Sequence, residues 1–281
     1  MEKRLIIYAV IVISCIVALG LGVYAQFFAD DGQQFTIAKP SKTNQEEISE
    51  KEQAIKEQFD TIFTNSLEYT SSTFNNSAVR KDSTKDLVFT SNQINKVEQG
   101  KYNLNINVPA INIVSPVATN MNNEIESTFV SKATDILVNA EANIEYTIYS
   151  IDYVAYVNGN ILSLVIKSTL KEGNKPQRIM YLAYNYNLET ATKITLGEYI
   201  AYKNTTVEDL QAKVNKEIKD VAQKYKDLNS VGFSMYNRNP EDKMYKLENT
   251  TNYFLGKDNY VYIIYAYGNY NYTSEKDIVL F

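Results

Sequence analysis

The residue types that carry most enzyme chemistry are scarce in this sequence. Its 281 residues include no histidine, and the only cysteine is Cys15. The missing histidine excludes Ser-His-Asp and Cys-His nucleophile systems, the usual zinc sites and an imidazole pH switch. Ser163 lies in a strand-like run without a base to activate it, so we do not predict it as a nucleophile. We therefore predict no catalytic residue and no enzymatic activity.

Carboxylate pairs are the remaining source of acid–base or metal chemistry. No segment has the D-x-D-x-D-G spacing of a calcium loop. The pairs Asp30-Asp31 and Glu46-Glu47 are typical of a solvated tether and a solvated helix face. We accordingly predict neither a metal site nor a cofactor.

Tyrosine is the residue type whose abundance points to binding. The chain has 23 tyrosines, and exposed tyrosine among Asn and Ser forms binding surfaces at low entropic cost. The candidate binding residues lie in the densest clusters and are Tyr184, Tyr186, Tyr267, Tyr270 and Tyr272. Tyrosine is also a favoured strand residue, and its alternation with other residues favours this simpler interpretation.

The charge balance limits the classes of partner. When Glu2, Lys3 and Arg4 are set aside, 26 basic and 32 acidic residues remain, a net charge of −6. This balance argues against nucleic acid and against an anionic membrane surface as partners. An acidic domain would instead be steered towards a basic protein.

The N-terminus has the pattern of a membrane anchor. Residues 5–25 carry no charge, and about 20 apolar residues span the hydrocarbon core of a bilayer. Lys3 and Arg4 place the N-terminus inside, which predicts a single-pass protein of a bacterial cell membrane with an extracytoplasmic C-terminal part. Two alternatives remain open, namely cleavage near Ala25 and lipidation at Cys15.

The segment 26–86 is predicted to connect this anchor to a folded domain. Residues 26–42 are polar and form a tether. A capping-box spacing at Thr43–Glu46 and apolar residues at helical intervals predict an amphipathic helix over about 43–67, which would act as a stalk. Residues 68–86 are rich in Ser, Thr and Asn and are predicted to be a polar linker.

The folded domain, predicted over 87–281, is organised around a long hairpin at 144–170. Asn158-Gly159 suits a type I′ turn, and the run Leu162–Ile166 is apolar on both faces, as in an interior strand. Apolar stripes predict helices over about 115–139 and 206–227. We predict an α+β fold in which both long amphipathic helices pack on an antiparallel sheet, with no parallel crossover.

Several motifs resemble the PdaC/RsiV-like extracytoplasmic domain family. They include YSIDYVAYVNGNILSLVIKSTL (149–170), YNYNLETATKITLGEYI (184–200) and YFLGKDNYVYIIYAYGN (253–269). The resemblance implies an α+β domain outside the membrane and, in some members, a receptor for lysozyme. Two features depart from relatives that signal or catalyse: only residues 1–4 are predicted inside the cell, and no deacetylase domain is present.

These observations favour a non-catalytic binding domain. Its partner would be lysozyme, another cell-wall-active protein or a wall glycan. The alternative is a structural or assembly protein of the envelope that oligomerises through the stalk helix. A wall hydrolase is disfavoured because no convergent set of catalytic residues is legible.

Overall fold

The computed structural model describes residues 44–71, 79–141, 145–271 and 273–281. The predicted membrane segment 5–25, with Cys15 and Ala25, and the tether 26–42 lie outside these residues. Among the helices it does describe, none is both long and apolar enough to cross a bilayer. The chain divides into two compact units after Glu50, and both β-sheets belong to the unit Lys51–Phe281.

The first half of the chain ends in the long hairpin. Its elements are α1 (Asn44–Gln58), a 3₁₀ turn (Phe59–Thr61), β1 (Ser66–Ser71), β2 (Val88–Glu98), β3 (Tyr102–Ile111), α2 (Pro116–Ile125), a π-helical turn (Glu126–Val130), α3 (Ser131–Val138), β4 (Thr147–Asn158) and β5 (Ile161–Glu172). The helix predicted over about 115–139 is confirmed as α2, the π turn and α3. Ser115 caps it by accepting hydrogen bonds from the N–H groups of Val117 and Ala118.

The second half contains the other long helix and a second sheet. Its elements are β6 (Arg178–Asn187), β7 (Thr192–Lys193), α4 (Leu196–Tyr202), α5 (Val207–Ser230), 3₁₀ turns at Lys243–Tyr245 and Leu247–Asn249, β8 (Tyr253–Leu255), β9 (Val261–Ala266), α6 (Gly268–Asn271) and β10 (Lys276–Leu280). Helix α5 confirms the prediction for 206–227, and Thr206 caps it by accepting from the N–H of Asp209.

The larger sheet is mixed rather than purely antiparallel. Its strand order is β2-β3-β4-β5-β6-β7, and β1 also pairs with β4. Strands β3 and β1 both run parallel to β4 and share one of its edges: β3 pairs with Thr147–Ile151, and β1 with Val154–Asn158. The expected absence of a parallel crossover is therefore wrong, because α2 and α3 connect the parallel neighbours β3 and β4.

The two long helices pack on different sheets, which corrects the prediction of one sheet carrying both. Helices α2 and α3 cover one face of the large sheet with apolar residues such as Met121 and Phe129. The opposite face packs on the small sheet β10-β9-β8, and Phe59 is fully buried between them. Helix α5 then covers the outer face of the small sheet through Leu210, Val214 and others. The domain is thus a helix–sheet–sheet–helix sandwich.

A buried polar network connects the two sheets. On the large sheet the Ser163 hydroxyl donates to Asn185 Oδ1 (2.9 Å), and the Tyr199 hydroxyl donates to the same oxygen (2.9 Å). Towards the small sheet, Asn185 Nδ2 donates to the Tyr253 carbonyl (2.7 Å), and the Leu255 N–H donates to Ser163 Oγ (3.1 Å). These bonds satisfy main-chain groups on the outer edge of β8, where none of the described strands pairs.

The central hairpin is confirmed, but its turn lies one residue later than predicted. Asn158 pairs with Ile161, so the two loop residues are Gly159 and Asn160. Gly159 has φ = +60°, whereas Asn160 is not among the residues with positive φ. Positive φ at the first loop residue alone fits a type II′ turn rather than type I′, and glycine adopts it without strain.

The segment between the tether and β2 differs from the prediction. The helix expected over 43–67 ends at Gln58, and residues 66–71 form β1 instead of linker. Helix α1 is fixed to α5 by ion pairs from Lys56 to Glu217 and from Lys213 to Glu52. Residues 51–71 therefore belong to the domain, which begins well before residue 87.

The inter-sheet network makes a stability prediction. Replacing Asn185 by Leu should lower the free energy of unfolding by about 1–3 kcal/mol, because the buried Tyr253 carbonyl loses its donor. The control is Tyr186→Phe, since the buried Tyr186 hydroxyl has no hydrogen-bond partner among the described residues. That substitution should be neutral or slightly stabilising. Urea unfolding of both variants measures the difference, and equal effects would contradict the role assigned to the network.

Candidate functional site

One half of the large sheet faces solvent on the side away from α2 and α3. Near Val154 and Val165 this face is covered by the small sheet. Further along the same strands nothing covers it in the described part of the chain, and alternate side chains project outward. Nine of them form what we call the amide face: Gln93, Asn95, Val97, Asn103, Asn105, Asn107, Ile148, Ser150 and Thr169.

The strand alternation places these side chains together. In β3 the apolar residues Leu104 and Ile106 point into the core under the helices, so the asparagines between them point the opposite way. Strand β2 follows the same pattern, with Ile94 packed towards the core. A half-buried strand thus supplies a row of amides at every second position.

The strand register arranges the amide face in rows. One row runs Asn95, Asn105, Ser150 and Thr169 across β2, β3, β4 and β5. The adjacent row contains Val97, Asn103 and Ile148, and it ends at Lys171. Neighbouring strands lie about 4.8 Å apart, so each row is a regular ladder of short side chains. The first row is polar, whereas the second also exposes the aliphatic side chains of Val97 and Ile148.

Many polar groups of the amide face are free to bind a ligand. Within the described ranges, the side chains of Asn95, Asn103, Ser150 and Thr169 form no hydrogen bond. Asn107 is different, because it is buried, accepts from Gln93 Nε2 (3.1 Å) and donates to Asp152 Oδ1 (3.3 Å). The inner edge of the face is therefore fixed by internal bonds, whereas its outer rows are available.

Asn65 lies at the edge of β4 between the part that pairs with β3 and the part that pairs with β1. Its N–H donates to the Tyr153 carbonyl (2.8 Å), and its Oδ1 accepts from the Tyr153 N–H (3.0 Å). Its Nδ2 also donates to Asp152 Oδ1 (2.8 Å). The backbone of Asn65 has φ = +56°, a conformation that asparagine tolerates better than most residues. The edge of β4 consequently stays paired beside the amide face.

Charged groups lie beside the amides, and Asp152 shares this face of β4 at its inner edge, where it accepts from Asn107 and Asn65. Lys167 contacts Asp60 Oδ1 (3.1 Å), and Lys276 contacts Asp60 Oδ2 (2.6 Å). Partial burial alone would raise the pKa of Asp60, but hydrogen bonds and attraction from Lys276 and Lys167 outweigh it and hold that pKa below its usual value. Lys171 donates to the Lys175 carbonyl (2.7 Å). These charged groups are thus already engaged by neighbouring side chains or by the main chain.

The candidate tyrosines are mostly not at the surface. Tyr184, Tyr186 and Tyr267 are buried, so they do not form the exposed binding surface that the sequence suggested. Tyr270 is 62% exposed, and Tyr272 lies outside the described residues. The physical reason is that a tyrosine in a strand covered on both faces points into one core or the other. The simpler interpretation, tyrosine as a strand residue, fits this placement.

Tyr267 instead belongs to a buried charge cluster. Its hydroxyl donates to Asp277, which also pairs with the buried Arg238 (Nε–Oδ2 3.0 Å). The guanidinium carbon of Arg238 lies 3.9 Å from the ring centre of Tyr225 and 4.6 Å from that of Tyr267. Burial and the neighbouring carboxylate of Asp277 raise the pKa of Tyr267, which keeps its hydroxyl a donor. This cluster fixes the loop after α5.

The described residues contain no group of three or more Cys, Asp or Glu side chains arranged to hold a metal ion. The amide face was missed at the sequence level, although a signal for it existed. The segment KYNLNINV (101–108) alternates apolar and polar residues, as a half-buried strand does, and its polar positions Asn103, Asn105 and Asn107 are all amides. Their pairing with β2 was what the sequence did not reveal.

No known protein family matches the chain, and neither does any curated protein. Several solved chains resemble part of it, among them two of the DUF3298 family. A DUF3298 family protein from Pseudomonas aeruginosa PAO1 matches with a TM-score of 0.36 and 11% identity over 66% of this chain and 83% of that chain. A DUF3298 family member from Bacteroides fragilis NCTC 9343 matches with a TM-score of 0.29 and 11% identity over 64% of this chain and 81% of that chain. Such scores assign neither a family nor a function to this chain.

The ion pairs of Asp60 predict a pH dependence of stability. Because the pKa of Asp60 is lower in the folded protein, its contribution is present above the unfolded value of about 4 and is lost as the pH falls through the folded value. Asp60→Asn should therefore destabilise the protein at pH 7 and make progressively less difference below about pH 4. Urea midpoints at pH 7 and pH 3 provide the measurement.

The matched control for Asp60 is Asp220→Asn, since Asp220 is exposed on α5 and forms no ion pair in the part of the chain described. This control should change the midpoint little at either pH. An Asp60→Asn difference that is equally large at pH 7 and pH 3 would show that the carboxylate charge is not what stabilises this corner.

Proposed function

We propose that this protein is a non-catalytic binding protein of the bacterial cell envelope whose amide face holds an uncharged glycan of the cell wall. The observation that carries the proposal is the open sheet face itself. Within the described residues, the unbonded side chains of Asn95, Ser150 and Thr169 lie in register with Asn105 across β2–β5. Solvated faces of antiparallel sheets usually carry long charged side chains. A face of short amides and hydroxyls instead offers fixed hydrogen-bond partners at small entropic cost.

The chemistry of the face matches a polysaccharide. An asparagine amide has two donors and an acceptor, so it can bond to a sugar hydroxyl in either direction. Val97 is 72% exposed and Ile148 is 38% exposed, and they supply aliphatic surface for the C–H face of a sugar ring. The nine side chains are uncharged, and the adjacent Asp152 already accepts from Asn107 and Asn65, so the face favours an uncharged polymer.

The proposed location gives access to such a polymer. Residues 5–25 would hold the protein in the cytoplasmic membrane with the N-terminus inside. The domain would then face the wall, as the resemblance of residues 87–281 to PdaC/RsiV-like domains also implies. If the anchor is cleaved near Ala25 or replaced by a lipid on Cys15, the domain still lies outside the membrane.

A basic muramidase of the lysozyme type is a second candidate partner. The net charge of −6 outside the predicted inside segment and anchor favours it, because an acidic protein attracts a basic one at low salt. The assembly alternative is less favoured, since Glu52 and Lys56 of α1 already pair with α5 of the same chain. These contacts occupy side chains that an α1-mediated oligomer would use.

Retention on an insoluble wall glycan tests the proposal. The full chain should co-sediment with purified peptidoglycan, and Asn95→Ala combined with Asn105→Ala should weaken retention about tenfold, as expected for the loss of hydrogen bonds worth about 1–1.5 kcal/mol in total. The control is Asn123→Ala, an exposed asparagine on α2 at the opposite face of the sheet. Equal retention of the double variant and the control would refute binding by the amide face.

Salt dependence distinguishes the muramidase alternative from glycan binding. Lysozyme binding driven by net charge should weaken steeply between about 10 and 150 mM salt, whereas glycan retention through neutral amides should change little. Calorimetric titration with lysozyme at both salt concentrations gives this comparison. Tight, salt-sensitive binding of lysozyme together with no glycan retention would refute the glycan proposal and support a basic muramidase as the partner.

A further inference from the structure

A cavity of 410 Å³ lies at the far end of the central hairpin from the amide face. We call it the tip cavity, and its polar lining comprises Thr70, Asn158, Asn160, Tyr202, Lys257 and Asn259. Its volume lies in the range of natural pockets for small ligands. Four separate parts of the domain meet there: the end of β1, the hairpin turn, the end of α4 and the turn between β8 and β9.

The walls of the tip cavity are held in place before any ligand arrives. The Thr70 hydroxyl lies within hydrogen-bond distance of two acceptors, the Val157 carbonyl (3.1 Å) and Asn158 Oδ1. The Tyr202 hydroxyl donates to Asn259 Oδ1 (3.3 Å), and Lys203 Nζ donates to the Asn259 carbonyl (2.7 Å). These contacts span α4 and the β8–β9 turn, so the side chains that face the cavity have little freedom to lose on binding.

Asn259 has an unusual backbone. Its φ is +64°, in the left-handed region where asparagine is several-fold enriched over other non-glycine residues. With Oδ1 occupied by Tyr202, the side-chain Nδ2 of Asn259 has no partner in the described chain and is left to donate. The turn therefore presents one fixed amide donor to the cavity.

The cavity is close to neutral. Lys257 Nζ lies 3.4 Å from Glu68 Oε2, so the one charged lining residue has a counter-ion. The neighbouring Asp258 is engaged elsewhere, since it accepts from the Tyr262 hydroxyl (2.6 Å) and the Tyr260 N–H (3.2 Å). Among the lining residues, no charge is left without a counter-ion to select an anion or a cation.

Tyr202 gives the cavity an aromatic wall. It is 50% exposed, unlike the buried tyrosines of the two cores. A half-exposed ring beside fixed amides is the combination that packs against the C–H face of a sugar while its hydroxyls are hydrogen-bonded. The apolar ring and the amide donors act on different faces of the same small ligand.

We propose that the tip cavity is a second binding site, specific for an uncharged saccharide of one or two rings. Tyr202 would pack on a ring, and Asn259 and Lys257 would donate to its hydroxyl or acetamido oxygens. This inference rests on the proposed function and deepens it. With a short saccharide in the cavity and a longer chain on the amide face, the domain would have two binding sites for wall glycan. Two linked sites raise the effective affinity for a polymer without any new contact.

The test uses short saccharides, which are too small to span the amide face. Saturation-transfer NMR of the full chain with the N-acetylglucosamine disaccharide should show binding, and Tyr202→Ala should weaken it at least tenfold. Tyr202→Phe keeps the ring and should retain the affinity within about threefold, because it removes only the hydrogen bond from the Tyr202 hydroxyl to Asn259. Phe233→Ala, which removes a 60% exposed aromatic residue from the loop after α5, should change nothing.

Two outcomes would overturn the inference. One is the absence of disaccharide binding at millimolar concentration, and the other is equal binding by wild type and Tyr202→Ala. Failure here is distinct from failure of the proposed function, which is read from polymer retention in the Asn95 and Asn105 variants. A thermal melt of Tyr202→Ala that matches wild type assigns any loss of binding to the cavity and not to misfolding.

Discussion

The hydrogen bonds between Ser163, Asn185 and the main chain of β8 are the constraint on which the arrangement of the domain depends. A three-residue strand at the outside of a three-stranded sheet has an open edge, and open edges are sites of unwanted pairing. In this protein the edge is closed by side chains of the neighbouring sheet instead of by another strand. The small sheet is thereby fixed at one position over β5 and β6, and Tyr199 completes the network from α4.

That position leaves the amide face open. The small sheet is much shorter than the large one, so a sheet docked over Ser163 and Val165 covers only one end of the strands. On the other end the side chains facing solvent are amides and hydroxyls. The parallel strand β1, docked along β4 through Asn65, extends the covered end without intruding on the open one. The covered end of these strands contributes to the core, and their open end carries the proposed binding surface.

Local patterns in the sequence predicted the elements but not their partners. The helices near 115–139 and 206–227 and the hairpin around Gly159 follow from apolar spacing, caps and turn residues within a few positions. Strand β1 was missed because Ser66–Ser71 is polar, and only its long-range pairing with β4 makes it a strand. The one-residue error in the turn has a similar origin, since the register of β4 and β5 is set by burial along both whole strands.

The distribution of tyrosines shows why composition alone pointed to candidates of which three are buried. In a chain without tryptophan or histidine, tyrosine is the only aromatic residue that can donate a hydrogen bond. The fold uses that property internally: Tyr199 bonds α4 to Asn185 of the large sheet, and Tyr267 donates to Asp277. Burial raises the pKa of these hydroxyls, so they remain neutral donors across the physiological range. Asparagines and the half-exposed Tyr202 present polar groups at the surface. Asparagine and tyrosine thus serve the core or the surface according to where each residue lies in the fold.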